Sequence, residues 1–272
     1  MQLKNLIKNL KCENRGNLDV EIENICFNSK EVSENSLFVC LVGENSNGHN
    51  FAKEAEQKGA KAIVCEKELP VSTAQIIVEN SRKALSTICS NFNGNPEKKL
   101  KIVGITGTNG KTTTSFLIKS ILESAGKKVG VVGTEGVYFG KQFLKTNLTT
   151  PDPTVLFKIF KEMVENGIEY VAIEVSAHSL FFDKTEGVVF DVGILTNLTQ
   201  DHLDFFKDMG NYKNTKAKLF SEMKIKSAVL NFDDKFGIEL GEKILIPFVS
   251  YGINNPSDVF AINIEQKNGK TK

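Results

Sequence analysis

Four short stretches carry residue types whose spacing could do chemistry. In Gly104-Ile-Thr-Gly-Thr-Asn-Gly-Lys-Thr-Thr113, a glycine turn sits between an apolar run and a helical pattern. Backbone N–H groups of such a turn, with the helix N-terminus behind them, point at phosphate oxygens. Lys111 would reach the β- and γ-phosphates and the Thr112 hydroxyl would hold Mg²⁺. Ile105 stands where the common G-x-x-x-x-G-K-[ST] spacing has glycine. In Ile173-Glu-Val-Ser-Ala-His178, Glu174 ends an apolar strand, and a carboxylate beside a phosphate loop suits a hard cation. His178 reads as a structural histidine.

Thr196-Asn-Leu-Thr-Gln-Asp-His-Leu-Asp204 follows a third apolar run. His202, between two aspartates, has the surroundings of an oriented metal ligand. Parallel strands would bring the ends carrying Lys/Thr, Glu and His together. In Tyr212-Lys-Asn-Thr-Lys-Ala-Lys-Leu-Phe220, spacing alone does not choose among Lys213, Lys216 and Lys218.

The elements that must position these residues follow from periodicity and turn signals. Ser36–Val42, Lys61–Cys65 and Gln75–Val78 read as strands. His49–Lys58 reads as a helix with Phe51, Ala52 and Ala55 on one face, and a second helix capped by Ser81 runs to about Phe92. Asn93–Lys99 is dense in turn residues and charge, and marks a domain boundary. Beyond it the pattern becomes β-α-β: strands at Leu100–Thr106, Val129–Val132, Tyr170–Val175, Asp191–Leu195 and Ala228–Leu230, with helices at Lys111–Ala125 and Pro153–Glu165. Phe248–Tyr251 and Val259–Ile264 read as closing strands. The fold class is α/β: a small N-terminal α/β domain, residues 1–98, and a mostly parallel sheet flanked by helices, residues 99–272.

Lys and Arg total 34 against 33 Asp and Glu, which excludes a protein held to nucleic acid by a basic surface. No apolar run approaches the length of a membrane span, and the first residues lack a signal-peptide pattern. The five cysteines have no C-x-x-C spacing and read as buried thiols of a cytoplasmic protein.

Taken together, these motifs resemble the Mur ligases, and within them the branch that adds the third peptide residue. Ile105–Thr113 matches the family's phosphate loop, and Glu174–His178, Thr196–Asp204 and Lys216–Phe220 follow in the family's order. Asn28-Ser-Lys-Glu-Val32, Leu37-Phe-Val39, Gly43 and Asn47-Gly-His49 resemble the UDP-binding domain of that branch. The resemblance implies ATP-dependent formation of a peptide bond between UDP-N-acetylmuramoyl-L-Ala-D-Glu and a free amino acid, through an acyl phosphate, in peptidoglycan precursor synthesis. It assigns Gly107, Thr108, Asn109, Gly110, Lys111, Thr112 and Thr113 to ATP. It assigns Thr112, Glu174, His202 and Lys216 to the metal ions, with Lys216 carbamylated, and gives Lys111, Glu174, His202 and Lys216 the catalytic roles. Ser29, Glu44, Asn45 and Ser46 would face the uridine; Thr149, Thr150, Ser176 and Lys184 would line the muramoyl-peptide path.

Several positions depart from the family's pattern. Asn28-Ser29-Lys30 replaces Asp-Ser-Arg, Leu148 replaces an asparagine, Ala177 a serine, Phe182 a glutamine and Lys184 an arginine. Lysine cannot reproduce a bidentate arginine contact. Family members also carry a third, C-terminal domain that binds the amino acid. The resemblance therefore implies that this chain lacks it and does not complete the ligation alone. The expected state is a monomer, with no nucleic-acid partner and no membrane span. The competing readings are a folylpolyglutamate-synthase-like ligase and a catalytically silent nucleotide-sugar-binding module.

Overall fold

Short apolar runs between turn residues set the strands, and β-α-β connections set their order. The structure, a computed structural model, describes residues 1–43, 46–221, 225–267 and 270–271. Their contacts divide them into two compact units, one of residues 1–97, 151–162 and 182–187, the other of residues 98–150, 163–181 and 188–272. Residues 151–162 and 182–187, which the linear reading places within 99–272, thus belong with the first unit.

In the first unit, α1 (Leu3–Leu6), β1 (Cys12–Arg15), β2 (Asn24–Cys26), β3 (Ser36–Val39), α2 (Ala52–Gln57), β4 (Ala60–Cys65), β5 (Ala74–Val78) and α3 (Ser81–Phe92) follow one another. The sheet order is β1-β5-β4-β3-β2, parallel except for β1 against β5. Every residue of β3 is buried, Ser36 included, as a strand paired on both sides and carrying the apolar run Leu37-Phe-Val39 requires. It ends at Val39, earlier than the expected Val42. The expected helix at His49–Lys58 is a 3₁₀ turn, Gly48–Phe51, followed by α2. Ala52 and Ala55 pack inward while Phe51 is exposed. The cap of α3 is Asn80 rather than Ser81: its side chain accepts from the N–H groups of Arg82 and Lys83, the stronger arrangement for a short amide side chain in extended backbone. Cys26, Cys40, Cys65 and Cys89 are buried free thiols; Cys12 is only half-buried.

In the second unit β6 (Lys101–Thr106), α4 (Lys111–Ser124), β7 (Val129–Gly133), β8 (Gly136–Phe139) and β9 (Gln142–Leu144) come first. After α5 (Pro153–Glu165), which begins in the first unit, follow β10 (Tyr170–Glu174), α6 (Ala177–Phe181), β11 (Phe190–Leu195), α7 (Leu203–Phe206) and α8 (Met209–Ser221). Then come β12 (Ile225–Asn231), α9 (Lys235–Gly241), β13 (Phe248–Gly252) and β14 (Val259–Phe260), followed by the two-residue antiparallel pair β15 (Gln266–Lys267) and β16 (Lys270–Thr271). The nine-stranded order is β14-β13-β12-β11-β6-β10-β7-β8-β9. The β7-β8-β9 edge is antiparallel, which makes the sheet mixed. The hairpin escaped the sequence reading because its strands are only four and three residues long. β14 stops at Phe260, short of the expected Ile264, and its residues are exposed.

Strand order and register build the site. β6 lies between β10 and β11, with Ile105 beside Glu174 and Thr106 beside Leu195. The loops leaving these three strands therefore start side by side at one edge of the sheet. Beneath them Ile105, Val131 and Ala172 are buried together, with Phe116 and Ile118 of α4 packed against them. Among the described residues no helix is long and apolar enough to cross a membrane.

Candidate active site

The turn from β6 into α4 is shaped to receive an anion. Gly107 has φ +143° and Gly110 φ +85°, a backbone that L side chains rarely adopt. A Cβ on Gly107 would lie 1.9 Å from Thr196 Oγ1, so only glycine fits. Gly110 is the N-cap of the 14-residue α4 but offers no side-chain cap, and the first turn holds no acid. The leading N–H groups and the positive end of the helix dipole thus have no anionic partner of their own. That is a cradle that fits a phosphate.

A second loop braces the cradle. Thr108 N donates to Asn197 O at 2.9 Å, and Asn109 N donates to Asn197 Oδ1 at 2.9 Å. Thr196 Oγ1 donates to Asn109 O at 2.7 Å. Thr108 Oγ1 donates to Thr199 O at 3.1 Å and accepts from Thr199 N at 3.0 Å. Asn231 Nδ2 and Asp234 Oδ2 hold this second loop through Thr196 O and Leu198 N. The sequence reading took Thr196–Asp204 as the carrier of His202 and missed Thr196 and Asn197 as braces. The signal was their place directly after β11, but its value depends on β11 lying next to β6.

Two lysines meet on one carbonyl. Lys111 Nζ donates to Gly107 O at 2.9 Å and to Thr108 O at 2.8 Å. Lys216 Nζ, on α8, donates to Gly107 O at 2.8 Å. Lys216 is 1% exposed; burial, then the like charge of Lys111, pull its pKa down to about 7, against an opposing pull from Asp201. Burial also lowers the Lys111 pKa, opposed by Glu174 and Asp201. The structure thus separates the three lysines that spacing left open. Lys213 is ion-paired with Glu239, Lys218 lines a surface cleft with Phe181 and Phe205, and Lys216 alone of the three turns into the site.

Glu174 is 1% exposed. Thr134 N donates to its Oε1 at 3.2 Å and Thr134 Oγ1 to its Oε2 at 3.1 Å. A Cβ on Gly133 would stand 2.1 Å from Oε1, so the glycine makes room for the carboxylate. A buried carboxylate held by neutral donors favours a cation nearby. His202 has φ +52°, is about half exposed, and places Nε2 3.4 Å from Asp201 Oδ2. Its ring meets that of His178 at 5.0 Å, and His178 packs on Phe205 and Phe206, a structural setting. Among the described residues no three His, Cys, Asp or Glu side chains group closely enough to hold a metal ion. The predicted set contains only two of these types, and its other donors are Thr112 and Lys216.

The remaining predicted residues fall in both units. Thr149 Oγ1 is 3.0 Å from Thr134 Oγ1. Thr150 is buried; its hydroxyl donates to Glu174 O at 2.8 Å and accepts from Ser176 N at 3.1 Å. Ser176 Oγ accepts from Ser179 N at 3.1 Å, securing the first turn of α6. In the first unit, Ser29 O accepts from Lys58 Nζ at 2.9 Å, and Asn28 caps the short turn that begins at Ser29. Ser46 O accepts from Gly43 N at 2.8 Å. Glu44 and Asn45 lie outside the described residues. Lys184 pairs with Asp152 at 2.8 Å. Arg82, which the sequence reading passed over, stacks 4.4 Å over Phe182 and donates to Val42 O at 2.6 Å.

The fold and the cradle define a phosphate-loop α/β protein. The comparisons with known proteins are more specific. The Mur ligase middle domain matches residues 105–272, and the model described as Mur ligase family, catalytic domain, matches residues 21–98. The chain belongs to the Mur ligase family.

Among its relatives, UDP-N-acetylmuramoyl-L-alanyl-D-glutamate–2,6-diaminopimelate ligase 1 of Clostridium acetobutylicum is 43% identical over all of this chain and 57% of its own length. The corresponding ligase of Clostridium botulinum is 44% identical over 97% of this chain and 55% of its own. A solved structure of a UDP-N-acetylmuramoyl-L-alanyl-D-glutamate–2,6-diaminopimelate ligase superposes with TM-score 0.81 at 22% identity, covering 97% of this chain and 55% of that one. MurF ligase from Thermotoga maritima, solved in complex with ADP, gives TM-score 0.58 at 25% identity over 93% of this chain and 55% of its own. The chain spans a little over half the length of the curated relatives it matches.

Proposed function

We propose that this chain carries the nucleotide- and muramoyl-peptide-binding part of an ATP-dependent ligase. The reaction joins 2,6-diaminopimelate, the amino acid named in its relatives, to UDP-N-acetylmuramoyl-L-Ala-D-Glu. The observation that carries the reading is the convergence of Lys111 and Lys216 on Gly107 O, in a glycine cradle at the uncapped start of α4. Overall, a substrate carboxylate oxygen takes the γ-phosphoryl group of ATP, releasing ADP. The amine of the incoming amino acid then displaces phosphate and loses a proton.

Gly107 to Thr113 would hold the ATP phosphates, the N–H groups of the turn supplying donors and Lys111 a cation where negative charge gathers between two anions. To reach a phosphate, Lys111 exchanges its two carbonyl acceptors for phosphate oxygens. Thr112, Glu174, His202 and Lys216 would hold Mg²⁺, which supplies Lewis-acid stabilisation of that charge. An ammonium would repel Mg²⁺, but Lys216 with a pKa of about 7 is substantially neutral near pH 7. Its amine lone pair can add to the carbon of CO₂ and release one proton, leaving a carbamate with hard oxygen donors. Ser29, Glu44, Asn45 and Ser46 would serve the uridine. Thr149, Ser176 and Lys184 would serve the muramoyl peptide, and the buried Thr150 would position Ser176 for it.

Match of residues 21–98 to the Mur family favours this reading over a folylpolyglutamate-type ligase. The test is calorimetric titration of ATP–Mg²⁺ and, separately, of UDP-N-acetylmuramoyl-L-Ala-D-Glu into the chain. Both should bind. A chain that binds neither, with its fold intact, overturns the proposal.

A further inference from the structure

Tyr212 lies on α8 one turn before Lys216, so both side chains leave the same face of the helix. It is 1% exposed. Lys216 Nζ sits 4.6 Å from the centroid of its ring, so the aromatic face packs directly on the end of the lysine side chain. The phenol oxygen is 3.4 Å from Thr108 Oγ1 in the phosphate loop. The single hydroxyl proton of Thr108 is donated to Thr199 O, and Thr199 N–H occupies one of its lone pairs. The remaining lone pair accepts the phenol proton, so Tyr212 is the donor. The ring centroid also lies 6.3 Å from that of His202 and 5.3 Å from that of Phe206.

We infer that Tyr212 is a positioning residue that ties Lys216 to the phosphate loop, its ring carrying the lysine nitrogen and its hydroxyl holding Thr108. The geometry stands without a ligand; its consequence for catalysis rests on the ligase reading above. A change at the loop and a change at Lys216 are then felt by one rigid side chain, two χ angles from the backbone of α8.

The experiment uses the whole chain labelled with ¹³C at the lysine ε-carbons, the Lys216 signal being assigned by its loss in Lys216→Arg. In wild type and in Tyr212→Phe, which keeps the ring, the ε-methylene protons of Lys216 should appear upfield of the bulk lysine signal through the ring current. In Tyr212→Leu they should return to the bulk position. A bulk position in wild type or Tyr212→Phe, or an unchanged upfield position in Tyr212→Leu, overturns the inference. Should Tyr212→Leu not fold, the wild-type and Tyr212→Phe spectra still decide it. ATP–Mg²⁺ titration of the same proteins reads the ligase proposal separately. Tyr212→Phe should bind within about threefold of wild type, having lost one long hydrogen bond, and Tyr212→Leu about tenfold more weakly, having lost the ring packed on Lys216 as well. Absence of ATP binding in wild type counts against the ligase reading and leaves the ring-current result standing.

Discussion

Lys111 and Lys216, 105 positions apart in sequence, donate to the same carbonyl oxygen, that of Gly107, at 2.9 and 2.8 Å. Two amines on one acceptor repel each other when both are charged, and α8 holds Lys216 away from water. Burial first, and then the like charge of Lys111, pull the Lys216 pKa down to about 7, whereas the partly exposed Lys213 is paired with Glu239.

Replacing Lys111 should therefore have two effects. Lys111→Ala removes a cation from the phosphate cradle and should weaken ATP–Mg²⁺ binding by at least about tenfold, a loss typical of a charge-assisted contact. It should also raise the Lys216 pKa above its present value of about 7, since a like charge is gone. Calorimetry reads the first effect, and a pH titration of ¹³C-labelled lysine reads the second. A Lys216 pKa that stays put would remove the coupling.

Under the ligase proposal, Lys216→Ala in a protein that also carries an amino-acid-binding domain should abolish ligation, with activity partly restored by added short carboxylic acids that supply the missing oxygen ligand. Steady-state assays with and without the acid check this. Unchanged activity in the variant would show Lys216 to be a buried structural lysine.

Gly107→Ala combines a left-handed backbone with a clash against Thr196 Oγ1. It should cost about 1–3 kcal/mol of stability, the usual range for strained backbone, measured by urea unfolding. Thr196→Ala in the same chain removes the clashing atom and should recover part of the loss. If the second change recovers nothing, the backbone strain is the whole effect.

His49 makes the first unit acid-sensitive. It is buried; Glu66 N donates to its Nε2 at 2.9 Å, so the ring proton sits on Nδ1, facing Asn47 Oδ1 at 2.7 Å. Burial lowers its pKa below the ordinary 6.5, with Glu66 opposing and Lys67 reinforcing the shift. The unfolded chain then takes up a proton at higher pH than the folded one. The stabilising contribution is complete above pH 6.5 and is lost as pH falls through the lower folded value. Urea unfolding between pH 7.5 and 5 should show a steeper loss in wild type than in His49→Gln. Parallel curves would remove His49 from the acid response.

Much of the site was legible because local chemistry dictates it. Gly-Lys-Thr at a strand-to-helix junction announces a phosphate cradle, since glycines at positive φ and an uncapped helix start are local backbone properties. Glu174 at the end of an apolar strand was legible for the same reason. Tertiary structure decided the rest. Which of three lysines turns inward depended on the packing of α8: Lys213 pairs with Glu239, Lys218 lines a surface cleft, and Lys216 is buried against the Gly107 carbonyl. Thr196 and Asn197 became braces, and Thr106 gained Leu195 as its neighbour, only because β6 lies between β10 and β11. Strand order is a long-range property that no window of residues contains. Residues 151–162 and 182–187 join the first unit by the same logic: only the folded chain shows against what a segment packs.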